Sequence, residues 1–109
     1  MANPCIPKIN GIAGNQEIAC VLRQVCTLLG SQTNCVDALW TVVDIPANST
    51  YFSYKNNTFR LSELQSIVFS PDVPGTFIIR LTGMQDATTP GFPSTAALAT
   101  IYVVDPGPR

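Results

Sequence analysis

The sequence predicts a mainly β, single-domain sandwich, and three observations lead there. From Asp37 onward, short runs rich in β-branched and aromatic residues are separated by clusters of Pro, Gly and Asn. No helical pattern of about 10 to 15 residues lies between those runs, which argues against alternating strand and helix units. With 46% hydrophobic residues, a chain of 109 residues has enough apolar surface for one core, without needing cross-links.

The elements follow in order. Residues 3 to 14 hold Pro4, Pro7, Gly11 and Gly14 and read as an irregular or edge-strand arm, with Ile6 as its candidate contact residue. Next, Ile18, Val21, Leu22, Val25, Leu28 and Leu29 recur at three-to-four spacing, with Asn15 placed as an N-cap and Gly30 as a stop. That period is compatible with a short helix at about residues 16–29. The same letters suit two buried strands, because Val21, Val25 and the cysteines fit a sheet interior, so both readings remain open here.

Strands are expected at Ala38 to Ile45, which ends at Pro46, and at Thr50 to Tyr54, which ends at the polar turn Lys55-Asn56-Asn57. Further strands are expected at Thr58 to Leu61, Ser66 to Phe69, Gly75 to Thr82 and Ala96 to Val104. Gly83 to Ser94, with Pro90, Gly91 and Pro93, reads as a long loop. The chain thus divides into residues 1–36, an arm followed by a helix or strands; 37–105, the sandwich body; and 106–109, an exposed tail.

Composition excludes several function classes. Charged residues make up only 12% and the net charge is −1, so a basic nucleic-acid footprint is absent. There are no histidines, which removes the commonest general base near neutral pH and the commonest neutral metal ligand. Gly11-Ile12-Ala13-Gly14 lacks the preceding strand and the Lys-Ser/Thr of a phosphate loop. Cys26 and the serines have no histidine to activate them, and the aspartates are scattered. The expectation is a protein that is not an enzyme and carries no cofactor. The longest mostly apolar stretch, Thr95 to Val104, is about half a bilayer span. The opening residues, with Pro4 and Pro7, lack the apolar core of a secretory signal, so the chain is expected to be cytosolic as translated or to have lost its signal.

All four cysteines, Cys5, Cys20, Cys26 and Cys35, lie in the first third, at spacings that match no zinc motif. They read either as one or two disulfides pinning the N-terminal segment in an oxidising compartment, or as buried free thiols. Asn48-Ser49-Thr50 and Asn56-Asn57-Thr58 match the N-glycosylation sequon, which matters only in a eukaryotic secreted protein.

Two stretches carry a resemblance. Trp40-Thr41-Val42-Val43-Asp44-Ile45-Pro46-Ala47-Asn48-Ser49 and Phe69-Ser70-Pro71-Asp72-Val73-Pro74-Gly75-Thr76-Phe77-Ile78-Ile79-Arg80-Leu81 resemble the PKD-like branch of immunoglobulin-fold domains. That family shows a Trp strand ending in a Pro-Ala-Gly-Ser turn, then a Phe-x-Pro-Asp-x-x-Gly-Thr-Tyr/Phe turn into a long strand; here Asn48 replaces the Gly. The chemistry agrees: Pro71 and Pro74 preset φ, Asp72 can bond its own turn, and Gly75 can take φ > 0. Phe77, Ile79 and Leu81 then alternate inward, with Trp40 in a buried central strand. The resemblance spans about residues 38 to 104 and implies an immunoglobulin-like (PKD-like) β-sandwich with an N-terminal arm.

A chain so poor in charge coats itself with Thr, Ser, Asn and Gln, as subunits of assemblies often do. Phe92 and Pro93 in the charge-free loop, Tyr51 and Tyr54, and Ile6 are its candidate interface residues. By fold-level analogy, the resemblance implies a virion accessory that decorates or cements a bacteriophage capsid, its partner the major capsid protein or a second copy. The alternative is an extracellular adhesion or carbohydrate-binding module.

Overall fold

The computed structural model describes residues 5–84 and 96–105. Within them the chain forms two sheets stacked as a β-sandwich. Strands β1 (Ile6–Ile9), β3 (Cys26–Thr33) and β6 (Ser66–Phe69) make a three-stranded sheet in the order β1-β3-β6. Strands β2 (Asn15–Val21), β4 (Asp37–Asp44), β5 (Thr58–Arg60), β7 (Gly75–Met84) and β8 (Ala96–Val104) make the second, in the order β2-β8-β7-β4-β5. Every pairing is antiparallel except β2 with β8, which runs parallel with Asn15 opposite Leu98 and Val21 opposite Val104.

The first third of the chain is woven into both sheets. Pro7 sits on β1, an edge strand, where its missing N–H costs no ladder bond. Asn10 and Gly11, at φ 54° and 79°, form the two-residue turn in which Ile9 and Ile12 exchange backbone bonds of 3.0 Å. Past Gly14 the chain crosses to the opposite sheet and enters β2, and Gln16 Nε2 ties the crossing by donating to the Ile9 carbonyl at 2.7 Å.

The helical reading of residues 16–29 is corrected here: those residues form β2, a turn at 22–25 and the start of β3. Ile18, Cys20 and Leu22 pack on the core, as do Cys26 and Leu28, and these positions alternate by two. Ile18, Leu22 and Leu28 satisfy either period, so ladder pairing with β8 and β6 decides between them. Arg23, at φ 65°, turns the chain and donates its N–H to the Pro71 carbonyl at 2.8 Å. The Cys20–Cys26 disulfide brackets this turn and joins the two sheets. The second disulfide, Cys5–Cys35, fastens the start of β1 to the loop before β4.

Between the sheets lie Trp40, Phe77, Leu81, Ile101, Leu28 and Ile9, all essentially without solvent exposure. Each contributes roughly 1.5–3 kcal/mol by burial. Trp40 lies against β3 because residue 30 is Gly: a Cβ there would come within 2.5 Å of both Trp40 Cζ2 and Leu61 Cδ1. Its indole Nε1–H donates to the Leu64 carbonyl at 2.7 Å, so the one polar atom of that side chain is satisfied. Phe77, Ile79 and Leu81 alternate inward along β7, as expected from the sequence. That strand continues past Thr82 to Met84, so Gly83 and Met84 belong to the sheet and not to the following loop.

Thr50 to Tyr54 is a 3-10 helix and not a strand. The β-propensity of its aromatic residues is overridden by capping. Ser49 accepts the Tyr51 N–H at 3.0 Å and caps the helix, and the Asp72 carboxylate grips Thr50 from a distant turn.

Candidate contact site at the open edge of the sandwich

On one side of the sandwich β1 and β2 are the edge strands, joined by the short crossing at Gly14; on the other the edges are β5 and β6. Between β6 and the β4–β5 side of the larger sheet lies an apolar cleft of about 240 Å³, lined chiefly by Val42, Tyr51, Tyr54, Phe59, Leu64 and Phe69. An aromatic run leads from solvent into the core along its wall. Tyr54 and Tyr51 have centroids 6.4 Å apart, Tyr51 meets Phe69 edge-on at 5.7 Å, and Phe69 meets the buried Phe77 at 5.5 Å. Such pairs add about 0.5–1.5 kcal/mol beyond area burial and hold the rings in fixed orientations.

The segment carrying the two tyrosines is anchored at both ends. At one end, Ser49 Oγ donates to Asp72 Oδ1 at 2.6 Å, while the Thr50 N–H and hydroxyl donate to Asp72 Oδ2 at 2.6 and 2.8 Å. Burial opposes ionisation of Asp72, but the hydrogen bonds from Ser49 and Thr50 outweigh it and bring its pKa down to about 2. At the other end, Asn56 donates its N–H to the Val42 carbonyl at 2.7 Å and Val42 donates to the Asn57 carbonyl at 3.1 Å. The cleft wall is therefore preorganised.

On the facing sheet, among the described residues, β6 pairs with β3 alone, so one backbone edge of Ser66–Phe69 has no described strand beside it. Val68 on this strand is 60% exposed, and Tyr54 at the cleft mouth is 47% exposed. An apolar edge strand beside an apolar cleft can accept an extended segment: main-chain bonds go to the strand and alternate side chains go to the cleft.

Of the residues singled out from the sequence, Tyr51 and Tyr54 are brought together here, but on a 3-10 helix and not as alternating positions of a strand. Ile6 lies on β1, at the opposite edge of the three-stranded sheet, and does not join them. Phe92 and Pro93 lie outside the described residues. Sequence reasoning missed Leu64, Phe59 and Val68. The run Ser66–Phe69 announced a strand, but its place at an edge follows from which strands pair, and no local signal carries that.

A second, polar hollow gathers Gln32, Asp37, Ser62 and Gln65. Asp37 is buried, which disfavours its charge, yet bonds from Ser62 Oγ at 2.7 Å and from the Ser62 and Ala38 N–H groups, with Arg60 3.8 Å away, hold its pKa below the usual carboxylate value. Its oxygens are occupied in joining β4 to the turn after β5. Among the described residues no three His, Cys, Asp or Glu side chains gather as metal ligands, and no helix is long and apolar enough to cross a membrane. Both sites belong to a two-sheet β-sandwich. Compared with known proteins, the chain matches no family model, no curated protein and no solved structure.

Proposed function

We propose that this chain is a non-enzymatic contact module with an immunoglobulin-like arrangement of strands, and that it decorates or cements a bacteriophage capsid. The immunoglobulin-like reading is supported by strand order: lettered A, A′, B, C, C′, E, F and G, the strands give sheets A-B-E and A′-G-F-C-C′, close to the variable type. The observation that carries the functional reading is the pairing of an exposed apolar edge strand, β6, with the preorganised aromatic cleft beside it. The occupant is an extended apolar segment of a neighbouring capsid subunit, which adds as a strand to β6 and seats alternate side chains against Tyr54, Phe59 and Leu64.

The cysteines also support a second reading, an extracellular adhesion module. All four are paired within the fold, which suits secreted proteins as well as virion surfaces. The test is rebinding to particles from the native source that have been stripped of this protein, read as copies bound per particle. Val68→Lys should lower binding at least ~10-fold, because a lysine on an exposed edge strand opposes the addition of another strand, while leaving the melting temperature within a few degrees. Wild-type protein that does not bind such particles, or a Val68→Lys variant that binds undiminished, overturns the capsid reading.

A further inference from the structure

We infer that the outer face of the five-stranded sheet is a contact between two copies of this chain. The inference rests on reading the chain as a contact module, but uses a surface separate from the β6 cleft. The registers place side chains on this face in rows. One row runs Thr41, Arg80, Leu98, Asn15; the next runs Ile78, Thr100, Glu17; a third runs Thr76, Tyr102, Ala19; and Val104 lies beside Val21 at the end. Leu39, opposite Thr82, and Ala96, also opposite Thr82, complete it. The face thus mixes Leu, Ile, Val, Ala and Tyr with Thr and Asn, and Arg80 and Glu17 are the charges within these rows. Tyr102 and Val104 are 42% and 50% exposed. A solvated sheet face ordinarily carries polar residues at these positions.

Its size is adequate. Four strands of seven to ten residues, β2, β8, β7 and β4, cover roughly 550 Å² in projection at strand and residue spacings of ~4.8 and ~3.4 Å. Side-chain relief raises the accessible area toward the roughly 800 Å² per partner of a standard interface.

The charges select a second copy as the occupant. Arg60 and Asp44, toward the β5 side, are already paired within the chain, with Asp37 at 3.8 Å and Lys55 at 3.5 Å. Glu17 accepts only a 3.3 Å bond from the Tyr102 hydroxyl, and Arg80 makes no ion pair among the described residues. From Arg80 to Glu17 is two strands across and one row along, about 12 Å. Their midpoint falls on β8 between Leu98 and Thr100. A two-fold axis lying between two facing sheets, through that midpoint and perpendicular to the line joining the charges, sets Arg80 of each copy over Glu17 of the other. Both ion pairs form at once, and Leu98 packs at the centre against its own counterpart. Among the described residues this face has one unpaired cation and one anion about a central apolar residue, an arrangement that is self-complementary.

Sedimentation equilibrium of the full chain with its disulfides intact tests this. A concentration-dependent dimer with a dissociation constant at or below ~10 µM is expected. Arg80→Glu and Glu17→Arg should each weaken it roughly tenfold or more, since each sets two like-charged pairs across the axis, and the double variant should recover to within about threefold of wild type. Wild-type protein that stays monomeric at ~0.5 mM overturns the inference whatever the variants do. So does a dimer indifferent to both single reversals, provided their circular dichroism melts match wild type. Val68→Lys leaves this dimer intact. A dimer that fails to bind particles therefore counts against the capsid reading alone, and a monomer that binds them counts against the self-contact alone.

Discussion

The Asp72 carboxylate holds Thr50 twice through one oxygen, from the backbone N–H at 2.6 Å and from the hydroxyl at 2.8 Å, although 22 residues separate the two in the chain. Through this grip the turn before β7 fixes the 3-10 helix that presents Tyr51 and Tyr54.

That grip predicts acid lability. Asp72 has a folded pKa of about 2 against an ordinary value of 3.8. The folded value is depressed, so the stabilisation is complete above about pH 4 and is lost as pH falls from 4 through 2. Solvent screening leaves roughly 1–2 kcal/mol. Urea titrations of wild type and Asp72→Asn should converge in stability between pH 4 and 2; parallel pH profiles would disprove the assignment.

Gly83 faces the Cys5–Cys35 disulfide, and a Cβ there would collide with Cys5 Sγ and sit 3.1 Å from Cys35 Sγ. Gly83→Ala should therefore cost about 1–3 kcal/mol. In a Cys5→Ser/Cys35→Ser background the two side chains are free to part, and the same substitution should cost clearly less. A double-mutant cycle by thermal or urea unfolding measures that coupling. Equal costs in both backgrounds would mean that the disulfide does not set the space at residue 83.

The two disulfides close loops of unequal length, with sequence separations of 30 and 6. Loop-closure entropy gives about 3.6 kcal/mol for Cys5–Cys35 and about 2.2 kcal/mol for Cys20–Cys26. Paired serine variants should show the larger drop in stability for the long loop. The reverse order would show that tying β2 to β3 across the sheets outweighs chain entropy.

Gly30→Ala drives a methyl group toward Trp40 Cζ2 and Leu61 Cδ1. About 1–3 kcal/mol should be lost, and the fluorescence of the single tryptophan should shift as the indole moves. Unchanged emission with unchanged stability would place the slack elsewhere in the core.

The second half of the fold was legible because its signals are local. Ala96–Val104 is a strand with the limits its letters suggest, and Gly75, at φ 134°, opens β7 where the turn residues Pro71, Asp72 and Pro74 announce it. Residues 16–29 were ambiguous because Ile18, Leu22 and Leu28 serve both periods, and the parallel partner that decides, β8, lies some 80 residues away. Thr50–Tyr54 misled for the same reason, since aromatic β-propensity is local whereas the Asp72 clamp is not. Of the contact site, the two tyrosines could be read and the edge position of Val68 could not, because openness belongs to the arrangement of strands and is not written in any one of them.

The link between Cys5 and Cys35 also sets how the domain bears a load. Tension applied ahead of residue 5 travels through sulfur directly to residue 35 and into β4, so its covalent path bypasses β1, β2 and β3. Only after reduction does the pull enter the chain at residue 6, where the ladder of β1 on β3 is the first to bear it. A covalent bond thus takes up such a pull before any backbone hydrogen bond between residues 5 and 35 is spent.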